Sequence, residues 1–152
     1  MLSTRLVRMI EDHAEELTGE VLKDLSSHPR TPAYHRLTHT ELHRRVYDVY
    51  RNLGRWLGNK SDEPVEATYG ALGRVRREEG IPLSEVVFAL TLVKEHLWRY
   101  VLSSGLASSP VDLYQEEELA LLVGRFFDKA TYYAVKGYEG AGAGASASAA
   151  MA

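Results

Sequence analysis

The sequence predicts an all-α fold: a five-helix bundle, either globin-like or an up-down four-helix-bundle variant with an extra helix. Three observations lead there. Apolar residues recur three and four apart along almost the whole chain, which is the period of an amphipathic helix. Pro, Gly and Ser/Asn clusters interrupt that pattern at intervals suited to helices of ordinary length. No run of alternating apolar and polar residues is long enough for a useful strand. With 152 residues, 45% of them hydrophobic, the chain can bury a real core as one domain without staples.

Leu6, Ile10, Leu17, Val21 and Leu25 share one face at about 100° per residue, which predicts a first helix from Ser3 to Ser26. A proline-containing loop follows from His28 to Leu37. Thr38 and Glu41 have the spacing of a capping box, each side chain satisfying an orphan amide of the other. The second helix then carries Leu42, Val46, Val49, Leu53, Trp56 and Leu57 on one face and ends at Gly58-Asn59. Ser61-Asp62-Glu63-Pro64 starts a third helix, with acids at its positive end and proline in its first turn. That helix is short and weakly apolar (Val65, Tyr69, Leu72, Val75), and Gly80 stops it. The fourth, Leu83 to Leu102, is apolar nearly all round and should be central. Ser103-Ser104-Gly105 breaks it. Ser109-Pro110 caps a fifth helix that runs to Lys136, with Leu119, Leu122, Val123, Phe126, Ala130 and Tyr133 inward. Residues 1–137 form the expected domain. Residues 138–152 are a Gly/Ala/Ser segment that reads as a low-complexity tail or linker.

Composition excludes several classes of function. There is no cysteine, so no disulfide framework, thiolate zinc site or cysteine nucleophile. A net charge of −3 argues against a general nucleic-acid binder. No apolar run has the length to span a bilayer, and the N-terminus is not a signal peptide. A cytoplasmic protein is expected. No HExxH, P-loop, GxGxxG or Gly-x-Ser-x-Gly pattern occurs.

A few polar residues stand out against this frame. Lys94 projects into the apolar arc of the fourth helix, where desolvation lowers a lysine toward nucleophile range; a snorkelling stem or one ion pair is the simpler reading. His96 lies near the edge of that arc. A neutral imidazole there suits haem iron, and equally a single satisfied hydrogen bond. His39 and His43 share a face of the second helix and could chelate a metal, though a stable site needs a third ligand. Arg44, Arg51 and Arg55 fall within about 40° of each other on the second helix, a stripe able to hold carboxylates or phosphates of a partner. Arg76 projects onto the apolar side of its own helix, so its charge requires a carboxylate such as Glu85, Glu95 or Asp128. Glu78-Glu79 and Glu116-Glu117-Glu118 read as solvation. On the fifth helix Tyr114, Leu121 and Tyr132 lie together opposite the core face, which marks either a second packed helix or a partner surface. If exposed, they are the expected dimer interface.

The stretch Arg74-Val75-Arg76-Arg77-Glu78-Glu79-Gly80-Ile81-Pro82-Leu83-Ser84-Glu85-Val86-Val87 resembles a segment of the N-terminal sensory domains of RsbR-type stressosome co-antagonists, the RsbRD type in particular. The opening helix, the Trp56-containing helix and the length are similar too, over residues 3 to 136. The resemblance implies an all-α sensor related to globin-like domains without haem and usually fused to a STAS domain or another output module. It also implies signal input by dimerisation and by a ligand, and no catalysis. This chain departs from that pattern in ending on a small-residue tail with no output module.

The expectation is therefore a non-enzymatic sensor or interaction domain. It forms a homodimer, has a protein partner in a signalling complex, and binds neither nucleic acid nor membrane. Lys94, His96, Trp98 and Arg76 are its candidate ligand residues, with no cofactor. The alternatives are a haem- or metal-binding sensor using His96 or His39/His43, and a small enzyme using Lys94 for Schiff-base chemistry.

Overall fold

A computed structural model describes residues 4–104 and 110–151 of the protein, with side chains described as far as residue 141. Among the described residues it is helical with no strand. The helices are α1 (Thr4–Asp12), α2 (Ala14–Leu25), α3 (His39–Arg51), α4 (Leu53–Gly58), α5 (Glu63–Glu78), α6 (Leu83–Ser103) and α7 (Pro110–Met151), with a 3-10 turn at Pro32–Arg36. The all-α class stands, but among the described residues the five expected helices are seven. Two of the expected helices each break once. At His13 (φ −106°, ψ 17°) the ring Nδ1 donates to the Met9 carbonyl at 2.8 Å, and α2 starts. At Asn52 (φ −115°, ψ 27°) the amide reaches back to Asp48, and α4 starts. The Gly54 N–H that this break leaves open donates to Glu11 of α1 at 3.0 Å. Neither His nor Asn is a strong breaker, so neither break is visible in the periodicity.

The capping box is not formed. Thr38 sits at the N-cap of α3 but makes no side-chain cap bond, because Glu41 is engaged by two arginines instead. Charge-assisted bonds of that kind outweigh a neutral cap. Ser3, Gly105 and Ser109, expected at a helix start, a break and a cap, lie outside the described residues.

Helix α6 is central as expected, touching α1, α2, α5, α7 and the 3-10 turn. Its cover is incomplete: Val87, Thr91, Lys94 and Trp98 form a half-buried stripe along it. The closest pair is α5 with α7. Gly70 and Gly73 of α5 meet Ala134 and Gly137 of α7 backbone to backbone, and a Cβ at Gly73 would lie 2.6 Å from the Tyr138 nitrogen and closer still to the Ala134 carbonyl. Trp56, Tyr69 and Phe126 extend this seam, with ring centroids 5.4–6.1 Å apart. Helix α7 continues without a break past Lys136 to Met151. Its alanines are the strongest helix formers, and the glycine at 137 is used for the close approach to α5.

The α5–α6 connection ends α5 in a Schellman motif. Gly80 adopts φ 75°, the Ile81 N–H donates to the Arg76 carbonyl at 3.0 Å and the Gly80 N–H to that of Arg77 at 3.1 Å. Ile81 is fully buried, and its carbonyl accepts the Tyr138 hydroxyl at 2.6 Å. Gly80→Ala is expected to cost about 1–2 kcal/mol, the strain of a left-handed alanine, read from urea denaturation. An unchanged midpoint would show that the turn tolerates another conformation.

Candidate functional site

The polar centre of the molecule is Arg76. It is 2% exposed and bridges two helices: Nη2 donates to Glu41 of α3 at 2.7 Å and Nη1 to Glu79 at 2.6 Å. Its guanidinium lies 5.5 Å from the centre of the Tyr34 ring. The expected buried ion pair is present, but its partners are Glu41 and Glu79, not Glu85, Glu95 or Asp128. The choice depends on how α3 packs on α5, which no projection of a single helix contains. Glu79 is accordingly an ion-pair partner rather than solvation. Glu41 also accepts from Arg45 Nε at 2.7 Å.

These contacts shift the acids and bases of the cluster. Burial works against the charge on Arg76, yet the bonds to Glu41 and Glu79 outweigh it and hold the guanidinium above its ordinary range. For Glu41 burial favours the neutral acid, while Arg76 and Arg45 more than offset this and lower the carboxyl below its ordinary value. Burial dominates at Tyr34 and pushes its phenol up to about 12, against the opposing charge of Arg76. Since Glu41 is lower in the folded than in the unfolded chain, its contribution to stability is complete above the ordinary glutamate value of 4.5. It is lost as pH falls from there through the folded value. Acid titration of the unfolding free energy is expected to fall more shallowly below pH 4.5 in Glu41→Gln than in the unaltered chain. Parallel acid limbs would contradict this.

A cleft of about 280 Å³ opens beside the cluster, between α3, α5 and α6. One side of its wall is apolar (Val46, Val49, Leu72, Val86, Leu90, Val93), and Arg76, Tyr34, Arg44, Arg45, Asp48 and Thr68 form the rest with their neighbours. Glu85 immediately precedes Val86 of that wall. It is 7% exposed and accepts the Ala33 N–H at 2.8 Å. Glu85 stands at the third position of α6, where a glutamate would answer an N-cap amide. Pro82 at that cap has no N–H, so the carboxylate bonds the 3-10 turn instead.

The other expected site residues are scattered. Of the four candidate ligand residues Arg76 lines the cleft, whereas Lys94, His96 and Trp98 do not. Lys94 is half-buried on the stripe of α6 described above, not enclosed by the core. His96 Nε2 is paired at 2.8 Å with Asp24 of α2. His43 is paired at 2.9 Å with Glu15 and stacked on Tyr47, while His39 is exposed. Among the described residues no group of three or more His, Cys, Asp or Glu is placed to hold a metal ion. The arginine stripe is divided by the break at Asn52: Arg44 and Arg51 are exposed on α3, and Arg55 on α4 pairs with Asp48 at 3.6 Å. Tyr114, Leu121 and Tyr132 are all more than half exposed. Their spacing of seven and eleven residues keeps them on one side of α7 over about 27 Å. The glycine seam and the roles of Glu41 and Asp48 escaped the sequence reading. Gly-x-x-Gly inside a helix was the available signal for the seam.

Fold and cluster together define an all-helical domain in which a buried arginine ties α5 to α3 beside a mostly apolar cleft. The chain belongs to the RsbT co-antagonist protein RsbRD N-terminal domain family, whose model matches residues 6–150. The family supplies regulatory sensor domains of the stressosome type. Comparison with curated proteins and with solved structures finds no match. No helix among the described residues is long and apolar enough to cross a membrane.

Proposed function

We propose that this chain is a non-enzymatic input domain of a cytoplasmic stressosome-type system, acting by dimerisation through α7 and responding to a small ligand. The family match over residues 6–150 carries the reading. The family name points to a protein partner in an assembly that restrains RsbT. Dimerisation is supported by the row Tyr114, Leu121 and Tyr132, exposed apolar and aromatic groups beside charges of both signs, with aromatic groups of the kind enriched at contact surfaces. Residues 1–137 form the packed domain in this reading and residues 138–152 the segment that follows it, with Tyr138 still reaching back to the Ile81 carbonyl.

Native mass spectrometry tests the dimer. Twice the chain mass is expected at high micromolar concentration, reverting to monomer in the double variant Leu121→Lys, Tyr132→Ser with helical content unchanged. A monomeric parent protein, or a dimer indifferent to the double variant, would sink this interface.

A further inference from the structure

We propose that the cleft between α3, α5 and α6 binds a small amphipathic monocarboxylate, its carboxylate taken by Arg76 and the rim arginines and its apolar body laid against the aliphatic wall. This rests on the ligand-responsive sensor reading above and names the chemistry of the ligand.

Three observations converge. The Nε of Arg76 is buried with no hydrogen-bond partner, and Arg76 is one of the residues that line the cleft. A buried donor without an acceptor is costly and rare, and a carboxylate is the natural acceptor for a guanidinium edge.

The cleft wall itself carries more cations than acids. Arg44, Arg45 and Arg76 line it against Asp48, and whereas Arg45 and Arg76 are paired with Glu41 and Glu79, Arg44 has no carboxylate partner among the described residues. One negative charge would answer Arg44, which favours a monoanion over a phosphate dianion.

The aliphatic side of the wall, from Val46 to Val93, asks for an apolar body. A cavity of roughly 150 Å³ takes a benzene ring. By that measure about 280 Å³ takes on the order of ten non-hydrogen atoms, the size of octanoate or phenylacetate.

Because Nε lies beneath the surface, engaging it requires a small turn of the guanidinium. Glu41 and Glu79 hold that same group. The ligand carboxylate therefore competes with Glu41 for Arg76, and occupancy loosens the tie between α5 and α3.

Calorimetric titration of the full chain with sodium octanoate, octan-1-ol and inorganic phosphate is the test. Saturable 1:1 binding of octanoate is expected, at least about tenfold tighter than octanol, the discrimination given by one charge-assisted contact, and no phosphate binding. Thr68→Trp, at a half-buried position of the wall, should abolish octanoate binding while leaving the fold intact. Arg76→Met, which fills the space without the charge, should erase the preference over octanol. Equal affinity for octanol, binding that survives Thr68→Trp, or no saturable binding would each overturn the site. Native mass spectra of the same samples separate the two ideas. A dimer that ignores octanoate defeats the ligand site alone, and a monomer that binds it defeats the dimer alone.

Discussion

Replacing Gly73 by alanine is expected to destabilise the protein by about 4 kcal/mol or more, in the exceptional tail of single substitutions. The added methyl would fall on the Ala134 carbonyl and the Tyr138 nitrogen. A crowded side chain can change rotamer, but backbone has no such freedom, so α5 and α7 must separate. Separation would also open the contacts of Tyr69 with Phe126 along the same seam. Gly137→Ala should act similarly, because its Cβ would meet the Gly70 carbonyl. Gly19 supplies the control: it is exposed inside α2 with nothing near its Cβ position. Gly19→Ala should therefore stabilise by up to about 1 kcal/mol through helix propensity. Urea unfolding followed by circular dichroism reads all three. A loss of under about 1 kcal/mol at Gly73 would mean that the two helices lie further apart than described.

Arg76→Ala should follow closely, at about 3–5 kcal/mol for breaking a buried ion pair. Two effects combine, a void where a long side chain was and two carboxylates without their cation. Glu41 and Glu79 are each about one-third exposed, so they can regain water, which places the loss toward the lower end of that range. Arg76→Met separates the two effects because it fills the space without the charge. It should cost less than alanine. Arg76→Lys keeps a charge but not the planar fork that reaches Glu41 and Glu79 together, so it should recover only part of the stability. An alanine variant as stable as the parent would show that the cluster is dispensable to the fold.

How far the sequence was legible differs by level. The inward faces were readable because burial repeats with the helix: Leu6, Ile10, Leu17, Val21 and Leu25 are all buried, as are Leu119, Val123, Phe126 and Ala130. Gly80 was readable as a stop because a left-handed residue has a strong chemical preference. The breaks at His13 and Asn52 were not, since each depends on a side chain turning back to Met9 or Asp48. Arg76 could be singled out from its own helix, but its partners could not. Glu41 lies 35 residues away and looked better employed as a cap. The cleft was beyond reach for the same reason, being made by three helices whose mutual positions no single face records. The exposed row on α7 was half-readable: periodicity grouped Tyr114, Leu121 and Tyr132, and only the packing showed them uncovered.

The glycine seam also fixes where the molecule is stiff. Two backbones in direct contact leave no side-chain rotamers between them to absorb a displacement, so α5 and α7 move as one beam. Compliance is left to the helices joined at single interrupted residues, α1 to α2 at His13 and α3 to α4 at Asn52. A load applied inside the cleft would move α3, which ends at such a residue, before α5. Hydrogen exchange should accordingly quicken from α1 to α4 well before it does along α5 and the adjoining turns of α7.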